Sequence, residues 1–156
     1  SSVRRTFLQY LQGKLAATPR GTELCWAHVD DIVEGHVLAM RAGAAGRSYI
    51  IAGPRHSLIE AFAIAERITG VPAPKQHPSP GTMRALAAIA GVIERIVPLP
   101  EDYSSESLRV LAGVTYLGDN ARARHELGYA PRALETGLRE VFLHEMAHLG
   151  MSPPIR

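Results

Sequence analysis

Apolar residues along this chain recur mainly at the three-and-four spacing of an α-helix, broken by a few short β-branched or aromatic runs and punctuated by glycine and proline. The first helical pattern covers residues 3–12 and is closed by Gly13 and Pro19. A strand is predicted at 23–29, followed by a helix at 31–42 with Asp30 or Asp31 as its cap and Glu34 in capping-box register with Asp31. Residues 47–52, rich in Tyr and Ile, read as a second strand. Ser57 with Glu60 forms a capping box opening a helix that stops at Gly70 before Pro72; Leu58, Phe62, Ala65 and Ile68 give that helix one core-facing stripe. Residues 75–80 read as a short strand or extended loop, 83–97 as an apolar helix ending at Pro98, and 106–111 as one or two further helical turns. A brief strand at 114–117 leads into two terminal helices. The first is capped by Asp119 and stopped by Gly128, and Pro131 separates it from the second. Strands alternating with helices predict an α/β chain, mostly helical with about three short strands, too few for a full doubly wound sheet.

Composition changes this picture little. At 156 residues the chain fits one domain, and 46% hydrophobic with 21% charged residues is ordinary for a folded, water-exposed protein. The net charge of +2 is spread along the chain, so nucleic acid is not suggested as a partner. The longest apolar run, residues 85–93, falls far short of the ~20 residues of a membrane-spanning helix, and no membrane partner is expected. A single cysteine, Cys25, excludes an internal disulfide framework; with no secretory signal visible, the cytoplasm is the expected compartment.

The wording of the last quarter is more specific. LGDNARARHELGYAPRALETGLREV, residues 117–141, closely resembles the C-terminal end of the extended short-chain dehydrogenase/reductases, the NAD-dependent epimerase/dehydratase family. WAHVDDIVEGHVLAM at 26–40, GRSYIIAG at 46–53 and SLIEAFAIAERITGVPAP at 57–74 resemble that family's successive segments in order and spacing. The resemblance spans roughly residues 5 to 149. It implies that residues 1–149 are the substrate-binding half of an extended Rossmann-fold reductase, with 150–156 as a tail, and that the N-terminal dinucleotide-binding half is absent. No GxGxxG or GxxGxxG occurs, so no catalytic or cofactor-binding residue is assigned here. NAD or NADP is expected in the intact enzyme and none on this portion. The implied partners are a small-molecule substrate and the missing half, with a homodimer also allowed. Leu24 stands where sugar-nucleotide epimerases carry a phosphate-binding arginine, and Arg20 is out of register. A nucleotide-sugar substrate is therefore disfavoured, and the wording more closely resembles dihydroflavonol-reductase-like members, which reduce a carbonyl on a less polar substrate.

The candidate pocket residues are Trp26, His28 and Met83, each weighed against a plainer role: core packing for Trp26 and Met83, a hydrogen-bonded structural imidazole for His28. Two other constellations stand out. HEMAH, His144 to His148, matches the HExxH pattern in which two histidines one turn apart bind zinc and the glutamate, here Glu145, activates water. Helical geometry puts His144 and His148 opposite the apolar face of Leu138, Phe142, Met146 and Leu149, and no third ligand follows, so surface histidines are favoured over a zinc hydrolase. Tyr10 and Lys14 have the YxxxK spacing of the family's catalytic pair but lie only about twenty residues before Asp30, with Gly13 interrupting their helix; coincidence is favoured. A stand-alone α/β binding module is the non-enzymatic alternative.

Overall fold

The computed structural model describes residues 2–95, 97, 105 and 115–154. Its elements run α1 (Ser2–Leu11), β1 (Glu23–Cys25), α2 (Val29–Ala42), β2 (Arg55–Ser57), α3 (Leu58–Thr69), α4 (Pro80–Ile93), β3 (Thr115–Tyr116), α5 (Ala121–Leu127) and α6 (Leu134–His148). Local chemistry sets most helix ends. The Ser57 hydroxyl accepts the Glu60 N–H at 3.2 Å while the Glu60 carboxylate accepts the Ser57 N–H at 2.8 Å, closing the expected capping box of α3. Those hydrogen bonds from Ser57 hold the Glu60 carboxyl below its ordinary range. Gly128, at φ 71°, takes the left-handed turn that ends α5, and Tyr129 N–H reaches back to the Ala123 carbonyl at 3.2 Å. Asp119 is one residue further out than expected: Asn120 is the cap position, but the Asp119 carboxylate still accepts the Ala121 N–H at 2.8 Å.

Three helices share the main core. Phe7, Tyr10 and Leu11 of α1 meet Leu58, Ala61, Phe62, Ala65 and Ile68 of α3 and Leu134, Leu138, Phe142 and Met146 of α6, all buried. The expected α3 stripe is therefore the face that packs on α6. A fully buried Leu, Ile or Phe in such a cluster stabilises by about 1.5–3 kcal/mol relative to an exposed one. A second cluster joins α2 to α5 through Ala123, Leu127, Tyr129, Leu38, Ala39, Tyr49 and Ile51. Gly35 makes that approach possible, since a Cβ there would overlap the Ile51 side chain.

The described residues hold a three-stranded sheet in the order β2-β1-β3, with β1 antiparallel to β2 and parallel to β3. The chain is thus a small mixed α/β unit with three short strands. Several expectations need correction. The predicted strand 23–29 ends at Cys25, because Val29 already begins α2. Residues 47–52 are not in the sheet; the third strand is Arg55–Ser57, which has a neighbour in β1 to pair with. β-Propensity marks extended backbone, but a strand also needs a partner. The cap of α2 is His28, whose Nδ1 accepts the Asp30 N–H at 3.3 Å, so neither Asp30 nor Asp31 fills that role. Of the expected segment 75–80, residues 75–79 form a loop with one isolated bridge, Ala17 to Gln76, and Pro80 begins α4. Helix α4 opens on Ser79 and ends at Ile93 rather than Val97; the turns expected at 106–111 lie outside the described residues. Among the described residues no helix is long and apolar enough to cross a membrane.

Candidate functional site

A groove of about 430 Å³ opens where the first turns of α1, the link from β1 to α2 and the first half of α6 converge. Its volume is that of a small-molecule site. The walls are apolar: Phe7, Trp26, Leu134, Leu138 and Val141. Phe7 and Trp26 stack with ring centroids 6.3 Å apart and planes 9° from parallel, and the Trp26 Nε1–H donates to the His56 carbonyl at 3.0 Å, which fixes the indole. Gly137 leaves the α6 side of the groove without a side chain. A glycine inside a helix costs about 1 kcal/mol relative to alanine, so its presence in LETGLRE is a sequence signal for space left open.

Charged groups sit at the rim. Arg4 holds Glu145 through two bonds, Nε to Oε1 at 2.6 Å and Nη2 to Oε2 at 3.0 Å. The Glu145 carboxyl titrates below its ordinary range because Arg4 hydrogen-bonds the ionised form, an effect larger than the opposing one of burial. The stability this pair contributes is fully present above the pH at which an unfolded glutamate titrates, about 4.3, and is lost as the pH falls toward the lower folded value. Thermal melts from pH 7 to pH 3 should therefore show a steeper acid loss in the native chain than in Glu145→Gln; parallel curves would count against the pair.

On the other rim the Arg132 backbone N–H and Nε–H donate to Asp31, at 3.1 and 2.9 Å, and Nη1 donates to Glu140 at 2.7 Å. Asp31, only 5% exposed, thus ties α2 to the start of α6. His28, pinned as an acceptor at Nδ1, carries its neutral-form proton on Nε2, 3.6 Å from Glu140. The donor atoms of His28, Asp30 and Glu140 lie within 4.8 Å of one another. Arg132 already supplies the positive charge there, 3.8 Å from Asp30 and 2.7 Å from Glu140, so a cation would compete with a guanidinium. A second, more polar cavity of about 400 Å³ lies beyond Arg132 and is lined by Cys25, Gly53, Asp119, Asn120 and Arg124 among others.

Of the three residues expected in a pocket, Trp26 and His28 both line the groove, whereas Met83 is 6% exposed on α4 and lines neither cavity. Its side chain is on the inward face of α4, so packing accounts for it. In HEMAH the histidines and the glutamate part company. His144 and His148 are exposed with rings 4.4 Å apart, while Glu145 turns inward to Arg4 and is held ionised as a weak base. Tyr10 is 1% exposed and hydrogen-bonded to Thr69 and the Val71 carbonyl, and Lys14 is exposed beyond Gly13. Burial pushes the Tyr10 phenol up rather than down, opposite to what an acid–base tyrosine needs. Arg4, Arg132 and Asp31 were not legible as site residues, since the Arg4–Glu145 and Arg132–Asp31 bonds join residues 141 and 101 positions apart and leave no local pattern.

No family model matches the chain. It is 28% identical over 149 residues to Sterol demethylase protein B of Methylococcus capsulatus (strain Bath), an alignment covering 94% of this chain and 44% of that protein. The crystal structure of gox2253 resembles it in fold, with a TM-score of 0.75 and 24% identity, over 97% of this chain and 46% of that one. The chain therefore spans less than half the length of each protein it matches.

Proposed function

We propose that this chain is the substrate-binding portion of an NAD(P)-dependent oxidoreductase of the extended short-chain dehydrogenase/reductase type, and that its groove receives an apolar, sterol-like alcohol or carbonyl compound. The apolar groove that joins Trp26, Phe7 and Leu138 carries the reading. Two further points support it: the family-like wording of residues 26–74 and 117–141, and the name of the sterol demethylase protein it resembles.

The helices after β1 and β2 do not offer a pyrophosphate site. The helices that follow β1 and β2 start with Asp30 and Asp31, or with Glu60, and acidic first turns repel a pyrophosphate. The nicotinamide nucleotide and the proton-transfer groups are assigned to the remaining length of a longer protein. The surface is consistent with that division. Val29, Val33, Val37 and Met40 form an exposed apolar stripe along α2, and among the described residues no strand pairs with the extended segment 47–52. A sheet in the remaining portion of such a protein would cover both.

Trp26 is the only tryptophan, so its emission reports on the groove directly. Titration with progesterone, a steroid ketone, should quench and blue-shift it saturably, whereas UDP-glucose should leave it unchanged. Gly137→Leu, which fills the groove, should weaken the progesterone response at least about tenfold, the equivalent of ~1.4 kcal/mol. No change in emission on adding progesterone to the folded chain would sink the reading, and so would a stronger response to the sugar nucleotide.

A further inference from the structure

We infer that α4 is an interfacial helix that lays its outer face on an anionic lipid surface. At about 100° per residue, Met83, Ala87 and Ala90 share the inward face and are buried. The rest of that side is apolar as well: on the flank Leu86 and Ile93 are 46% and 42% exposed, and further round Ile89 and Val92 are 57% and 59% exposed. An ordinary surface helix carries polar residues there. One edge of this apolar arc is basic, with Arg84 and Arg95 both exposed and neither forming an ion pair among the described residues. The acid just past its end, the cap residue Glu94, is turned aside, its carboxylate accepting the Ser105 N–H at 2.9 Å and hydroxyl at 2.7 Å.

This charge pattern selects the occupant. In an antiparallel two-fold pairing of α4 with a second copy, Arg84 of one helix would lie beside Arg95 of the other, and no residue of Pro80–Ile93 is an acid that could receive either. An anionic headgroup layer accepts both arginines while the apolar arc enters the acyl boundary. A 14-residue helix is too short to span a bilayer, but lying in its plane makes no such demand on length. The inference is independent of what the groove binds, although an apolar substrate would be concentrated at the same surface.

Co-sedimentation of the 156-residue chain with vesicles tests it. The chain should pellet with phosphatidylcholine vesicles containing roughly a third phosphatidylglycerol, far less with phosphatidylcholine alone, and less as sodium chloride is raised. Ile89→Glu should lower the bound fraction about tenfold. Arg84→Gln with Arg95→Gln, which leaves every buried residue untouched, should abolish the preference for the anionic vesicles. Leu143→Glu, on the exposed side of α6, should change neither. Failure to pellet with the anionic vesicles overturns the inference, as does binding that both α4 variants leave intact. A dimer by light scattering that Ile89→Glu dissociates, without vesicle binding, would assign the face to a second copy instead.

Discussion

Phe142→Ala should destabilise the chain by about 3–5 kcal/mol, a third or more of the 5–15 kcal/mol that holds a typical domain together. Phe142 is 0% exposed, and its ring lies 4.8 Å from that of Phe7 and 5.6 Å from that of Tyr10, centroid to centroid. The side chain therefore fills the point where α1 meets α6, and truncation removes both apolar burial and the aromatic contacts around it. The α3 side of the same core would lose support indirectly, because Tyr10 also packs against Phe62 at 5.0 Å. Urea denaturation followed by circular dichroism measures the loss. Leu143→Ala, the next residue but 37% exposed, should stay within about 0.5 kcal/mol. Equal effects at the two positions would mean that α6 is not seated as described.

Asp31→Ala should lower the melting temperature by roughly 5–10 °C, through loss of a buried acceptor rather than loss of packing. Asp31 accepts two N–H groups of Arg132, one from the backbone and one from the guanidinium, and so joins α2 to the turn that launches α6. Without it, the Arg132 backbone N–H loses its partner in a half-buried position. The guanidinium keeps Glu140, at 2.7 Å, and that moderates the effect. Asp31→Ala combined with Arg132→Ala should cost less than the sum of the single changes, since the two residues act as one unit. Strict additivity in thermal melts would show that the pair is not formed in solution. The groove would respond too, because Arg132 and His28 line it: progesterone binding should weaken in Asp31→Ala even below its melting temperature.

These two positions also show how far the chain can be read by eye. The α3 stripe, with the capping box at Ser57 and the turn at Gly128, depends on residues one to four positions apart, and such chemistry is visible in the order of the letters. Phe142 was placed on the apolar face of its helix by the same periodicity, although nothing in it says that Phe7 would be the neighbour. Trp26 and His28, singled out through the family-like wording around them, line the groove. Met83, named beside them, is buried on the inward face of α4, because an apolar residue on an amphipathic helix looks alike whether it lines a cavity or fills a core.

Glu145 makes the division plain. Spacing along α6 presents it as the middle of a metal-binding motif, and only the position of Arg4, 141 residues earlier, turns it into half of a structural ion pair. Residues 47–52 show the same limit: their side chains favour extended backbone, yet the sheet formed at Arg55–Ser57, where β1 offered open hydrogen-bonding groups. Backbone sterics, capping and periodicity act over a few residues, and they decide where helices begin, which way they face and where they stop. Which faces meet, which strand finds a partner and which charges cancel depend on groups brought together across the whole chain, so the groove and its rim exist only once α1, α2 and α6 have docked.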